Sequence, residues 1–105
     1  MDAEFDDLKR EFLDEAEEKV QEIETILKSG SLSTEPSCDR ALYLAHQLKG
    51  AGGSYGFPNI STEAAALETD IERARDGGVD VSGVEGRVSR LREDIAARRQ
   101  ELTTS

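Results

Sequence analysis

The chain has 105 residues, of which 36% are hydrophobic and 34% charged, and its formal net charge is −10 at pH 7. That length supports one domain with a single modest core. The acidic balance excludes a nucleic-acid ligand, because phosphate neutralisation needs clustered Lys and Arg. Nothing approaches the run of about 18 apolar residues that spans a membrane. The opening Met1-Asp2-Ala3-Glu4-Phe5-Asp6-Asp7 lacks the apolar region of a secretory leader. The single cysteine, Cys38, cannot form an internal disulfide. Together these features lead to the expectation of a cytoplasmic protein.

Four stretches carry helical periodicity, and nothing alternates with period two over a useful length. In the first, Phe5, Leu8, Phe12, Ala16, Val20, Ile23 and Leu27 recur at steps of three or four, and Ser29-Gly30 supplies a left-handed end. A polar connection over Ser31-Leu32-Ser33-Thr34-Glu35 follows, and Pro36 suits a first helical turn. The second stretch places Ala41, Leu44, Ala45, Leu48, Ala51, Gly52 and Tyr55 within an arc of roughly 120°. The third carries Ile60, Ala64, Leu67, Ile71 and Ala74 and stops at Gly77-Gly78. The fourth carries Val84, Val88, Leu91, Ile95 and Leu102. Ser82-Gly83-Val84-Glu85 matches a capping box for its start, with Asp80 a competing cap.

The predicted architecture is all-α: a single-domain, antiparallel, up-and-down four-helix bundle spanning 1–105, with helices near 4–28, 36–53, 58–76 and 81–102. Residues 1–28 hold eleven acids and four bases, whereas residues 84–102 hold four acids and five bases. Two solvated faces of opposite sign, lying near each other, account for that asymmetry. Cys38 falls near the core edge, as a small hydrophobe.

The only histidine, His46, points roughly 150° away from the middle of the second helix's apolar arc. Its neighbours at the next turns are Lys49, Gly50 and Gly53. A lone imidazole therefore faces water with a cation beside it and side chains missing next to it. Each interior glycine costs about 1 kcal/mol of helix propensity relative to alanine. Close approach of another helix explains Gly52, which lies on the core arc, but not Gly50 or Gly53 on the outer one. Gly50-Ala51-Gly52-Gly53 is not a dinucleotide fingerprint, because it ends a helix where that motif opens one. One His and one Cys cannot build a zinc site, so no metal is expected.

His46-Gln47-Leu48-Lys49-Gly50-Ala51-Gly52-Gly53-Ser54-Tyr55-Gly56-Phe57 resembles the signature of histidine-containing phosphotransfer (HPt) domains. Ala64-Ala65-Ala66-Leu67-Glu68 resembles the family's start of the next helix, and helix number and order agree across nearly the whole chain. Phe12-Leu13-Asp14-Glu15-Ala16 is similar to the first helix of the phosphorylated domain of chemotaxis kinases. The resemblance implies a phosphorelay carrier without ATP-dependent kinase activity. His46 would accept a phosphoryl group on Nε2 from a receiver-domain aspartyl phosphate, or from a hybrid or chemotaxis-type histidine kinase. It would pass the group to a response-regulator aspartate. No cofactor of its own is implied, any Mg²⁺ coming with the receiver. A monomer is expected, either free-standing or as a domain of a larger kinase. The alternative from another class is a helical binding module that regulates a partner without phosphotransfer.

Within that expectation Lys49 is a counter-charge for the phosphoryl group, against the plainer reading of a solvated lysine. Gly50 would keep the approach to the ring clear, and Gly53 would extend the clearing. Glu68 would sit level with His46 if the second and third helices form a hairpin around Gly56. It is then either a carboxylate that accepts from Nδ1–H and orients the ring or a solvated acid. Leu42, Tyr43 and Leu13 lie off or at the edge of the apolar stripes and are expected to form an apolar docking patch for the receiver.

Overall fold

The periodicity resolves into four α-helices, α1 (Ala3–Lys28), α2 (Glu35–Ser54), α3 (Pro58–Arg75) and α4 (Val81–Thr104). They come from a computed structural model that describes residues 3–30, 34–77 and 81–104. Ser31-Leu32-Ser33 of the first connection, together with Gly78 and Asp80, lies outside the described residues. No strand occurs among the described residues, and the chain is an all-α four-helix bundle.

Cross-helix contacts give the register. Arg40 on α2 meets Glu22 on α1, His46 on α2 meets Glu68 on α3, and Asp70 on α3 meets Arg87 on α4. Arg92 and Arg99 on α4 meet Glu24 and Asp14 on α1. Second contacts run the other way along each seam: Phe12 meets Tyr55, Lys49 meets Ser61, and Asn59 and Ile60 share a hollow with Asp94 and Arg98, so neighbouring helices run antiparallel and α4 closes back on α1. The acidic first helix and the more basic fourth helix thus share one seam, as their opposite charge suggests. These ion pairs are exposed or partly exposed, so each contributes little to stability and serves mainly to fix register. Arg40 holds the Glu22 carboxyl below its ordinary pKa, chiefly by donating to it, at 2.6 Å. A lowered carboxyl stabilises the fold above its unfolded pKa, and that contribution fades as pH falls through the lowered value.

The core is one apolar cluster drawn from all four helices. It includes Ala16, Val20 and Ile23 of α1, Leu44 and Leu48 of α2, Leu67 and Ile71 of α3, and Val84, Leu91 and Ile95 of α4. Cys38 is buried with them, and burial pushes its thiol above the ordinary range despite nearby Arg75. Glycines terminate the helices where the periodicity stops: Gly30, Gly56 and Gly77 have φ of 72°, 82° and 81°.

The α2–α3 corner is the tightest. Phe57 N–H donates to the Gly52 carbonyl at 2.8 Å and Gly56 N–H to the Gly53 carbonyl at 3.3 Å. That pair of bonds is a Schellman ending, with Gly56 as its left-handed residue. Pro58 then opens α3, where its missing N–H costs nothing. Phe12 of α1 stacks on Tyr55 and Phe57, centroids 5.3 and 5.7 Å away, and covers the corner.

Three details differ from the sequence expectation. Leu13 is fully buried, beside Phe12, and is not at the edge of a stripe. Because α1 packs on both α2 and α4, its buried arc is wide enough to take adjacent positions 12 and 13. Conversely, Phe5 and Leu8 are exposed. Arg10 already reaches the Leu102 carbonyl near the end of α4, so antiparallel register leaves earlier α1 residues without a described α4 side chain opposite. Finally, α4 opens at Val81, which puts Ser82 inside the helix and not at its cap; an N-cap must precede the first helical residue.

Leu13→Ala is expected to destabilise the bundle by about 2–5 kcal/mol, the usual cost of a cavity at a buried leucine. Urea unfolding followed by circular dichroism measures this. An unchanged midpoint would return Leu13 to the surface.

Candidate functional site

The second half of α2 buries Leu44, Ala45, Leu48 and Gly52 against the bundle. His46 lies on the opposite side of the same helix, with 67% of its side chain exposed. Its Nδ1 stands 3.2 Å from Oε2 of Glu68, one helix over on α3. The register of the α2–α3 hairpin creates this contact. A carboxylate can only accept, so the contact is a hydrogen bond when Nδ1 carries the proton. In the neutral ring that leaves Nε2 as the nitrogen with a free lone pair. Glu68 is largely shielded, with 24% of its side chain exposed, which strengthens a charge-assisted bond relative to one in open water.

Lys49 follows one turn later and is exposed; among the described residues its ammonium enters no ion pair. Gly50 is exposed as well, and a Cβ added there would meet no atom within 4 Å. Gly53 differs slightly, since an added Cβ would lie 3.8 Å from the Ser61 hydroxyl, an ordinary contact on the flank of α3. Gly52 behaves as expected for a close helix approach. Its added Cβ would fall 3.0 Å from Ser61 N and 3.3 Å from Ser61 Cα.

One turn before His46, Tyr43 is 52% exposed and accepts a 2.7 Å hydrogen bond from Gln47 Nε2. Arg40 lies over its ring, 5.7 Å from the centroid. Leu42 is partly buried and packed against the core. Of the three residues expected to form an apolar docking patch, Tyr43 alone is well exposed, Leu42 is half-covered, and Leu13 is excluded because it lies in the core.

Sequence reasoning passed over Ser61, whose hydroxyl donates to the Lys49 carbonyl at 2.8 Å. The available signal was register: counting from the Gly56 corner sets a small residue opposite Gly52. Among the described residues no group of three or more His, Cys, Asp or Glu side chains is placed to hold a metal ion. The hollow lined by Glu17, Val20, Arg92, Ile95 and Ala96 lies on the α1–α4 seam, and that lined by Gly56, Phe57 and Arg98 lies beside the corner. His46 lines neither. None of the four helices, within the described residues, is long and apolar enough to cross a membrane.

The site is therefore an exposed imidazole with one nitrogen tied to a carboxylate, a cation one turn away, and a cleared surface beyond it. No curated protein and no solved structure matches the chain. A family model described as the Hpt domain matches residues 7–101, spanning every element that builds this site. The chain belongs to the Hpt domain family, the phosphotransfer-relay modules of two-component signalling.

Proposed function

We propose that His46 is the phosphorylated residue of a relay step, taking a phosphoryl group on Nε2 and handing it to a response-regulator aspartate. The observation that carries this reading is the 3.2 Å contact between His46 Nδ1 and Glu68 on an otherwise exposed ring. The donor is the aspartyl phosphate of a receiver domain, or a hybrid or chemotaxis-type histidine kinase. In the receiver case the Nε2 lone pair attacks phosphorus, the N–P bond forms, and the acyl phosphate P–O bond breaks to release the aspartate carboxylate. The ring gains positive charge in this step while its Nδ1 proton stays in place. Glu68 is set to stabilise that charge, and Lys49 to lie near the phosphoryl oxygens. Transfer onward is the reverse reaction with a second receiver.

The chain supplies position and electrostatics, and the receiver supplies Mg²⁺ and the catalytic surround. Gly50 keeps the approach open, with Gly53, Tyr43 and the exposed part of Leu42 around it as the surface on which the partner docks. A flat, exposed site of this kind suits a protein partner better than a small molecule. We place the protein in the cytoplasm, as a monomer, since a free cysteine fits a reducing compartment.

Incubated with a phosphorylated receiver domain, the wild-type chain is expected to gain an acid-labile, base-stable phosphate, and His46→Ala none. Failure of the wild type across a broad panel of receivers and kinases would favour a binding module that regulates its partner without transfer. Gly50→Gln adds a side chain where the structure has open space. It should leave helicity by circular dichroism unchanged and slow transfer at least about tenfold by obstructing approach. Unchanged transfer would remove the steric role. Lys49→Gln should slow transfer by about tenfold, a modest share of a charge-stabilisation effect because the ammonium is exposed. A wild-type rate would leave Lys49 as a solvated lysine.

A further inference from the structure

Gly52 is buried and faces the first turn of α3. The atoms a Cβ would meet there, Ser61 N at 3.0 Å and Ser61 Cα at 3.3 Å, belong to a helix backbone and cannot rotate aside. Ser61 N–H is itself held by the Phe57 carbonyl at 3.1 Å, which ties this turn to the corner. Beside this approach the Ser61 hydroxyl reaches back across the seam to the Lys49 carbonyl at 2.8 Å. The two helices are thus held together at this level by a missing methyl on one and a hydroxyl on the other.

This contact shares a register with the His46–Glu68 pair. From Ser61 to Glu68 the chain climbs seven residues, about 10.5 Å along α3, and from Gly52 back to His46 it covers six, about 9 Å along α2. Because the helices are antiparallel, both steps run the same way along the seam and end near one level. Between these two levels Ala45 and Leu48 of α2 and Ala64 of α3 are all fully or almost fully buried, two of them carrying only a methyl group.

We propose that Gly52 and Ser61 are positioning residues for His46: their contact sets the separation and register at which α3 delivers the Glu68 carboxylate to Nδ1. The contact at 3.2 Å has little slack. Widening the seam by a few tenths of an ångström carries it past the roughly 3.5 Å reach of a hydrogen bond. The ring is then free to adopt the other tautomer, with its proton on Nε2, the nitrogen that must stay bare. This inference rests on the reading of Glu68 as the ring's orienting partner.

The test is long-range ¹H–¹⁵N NMR of the His46 ring in the full chain at alkaline pH, where the neutral tautomers are counted directly. The wild type should be mainly the Nδ1–H form. Glu68→Ala should lower the ratio of Nδ1–H to Nε2–H forms by about tenfold, the loss of one charge-assisted hydrogen bond. Gly52→Ala should lower it by about threefold, since a forced helix shift weakens that bond without removing it. Ser61→Ala should move the ratio in the same direction, and Ser61→Thr, which restores the hydroxyl, should return it towards the wild type. Val88→Ala is the control for lost packing, because Val88 borders Glu24 and Leu27 on the α1–α4 side; its ratio should match the wild type. A ratio that falls in Glu68→Ala but holds in both Gly52→Ala and Ser61→Ala overturns the positioning role. An equal fall in Val88→Ala also overturns it, and an unchanged ratio in Glu68→Ala overturns instead the reading of Glu68. Should Gly52→Ala fail to fold, the Ser61 pair decides alone.

Discussion

The Gly52 carbonyl accepts the Phe57 N–H at 2.8 Å, while the place its side chain would occupy is taken by the backbone of Ser61. Gly52 thus accepts the closing bond of α2 and lets α3 return at near backbone contact, while Gly56 turns the chain. Much else follows from this corner. Pro58 can begin α3 at once, the register of the hairpin is fixed within a few residues, and Glu68 arrives beside His46. A larger residue at position 52 would have to displace a helix, which in a close-packed interior cannot be absorbed locally.

The other two helices serve that hairpin. Phe12 stacks over the corner aromatics, and the buried faces of α1 and α4 complete the core. Surface charges then sort the helices: acids on α1 meet arginines on α4 through Glu24–Arg92, Asp14–Arg99 and Glu17–Arg99. Such pairs contribute little stability individually, and their value here is that opposite charges face each other along the seam. This scaffold holds His46 on a helix, not a loop, with its ring already in contact with Glu68. Preorganisation of that kind lowers what docking must still cost in conformational freedom.

Much of this was legible in the residues themselves. The step of three and four apolar positions located four helices, because packing on one face enforces that period. The outward direction of His46 followed from the same wheel, as did the need for a close neighbour at Gly52. Glu68 required one more assumption, a hairpin at Gly56, and the Schellman ending there supplies it. What sequence did not reveal depends on two or more helices at once. Leu13 is buried because α1 has two neighbours, and Phe5 and Leu8 are exposed because of where α4 lies against α1. Ser61 carries no pattern of its own, and its hydroxyl matters only because the Lys49 carbonyl lies within reach. The start of α4 at Val81 agrees with the expected boundary, but Ser82, which offered a capping box, lies inside the helix and does not cap it.

If the fold presents His46 as proposed, Nε2 and no other atom receives the phosphoryl group. The phosphorylated atom can be identified in the ¹⁵N-labelled chain after transfer from a phosphorylated receiver domain, by ³¹P and long-range ¹H–¹⁵N NMR. A single phosphohistidine bonded through Nε2, with Nδ1 still protonated towards Glu68, is the expected result. A phosphoryl group on Nδ1, or on any residue other than His46, would contradict it.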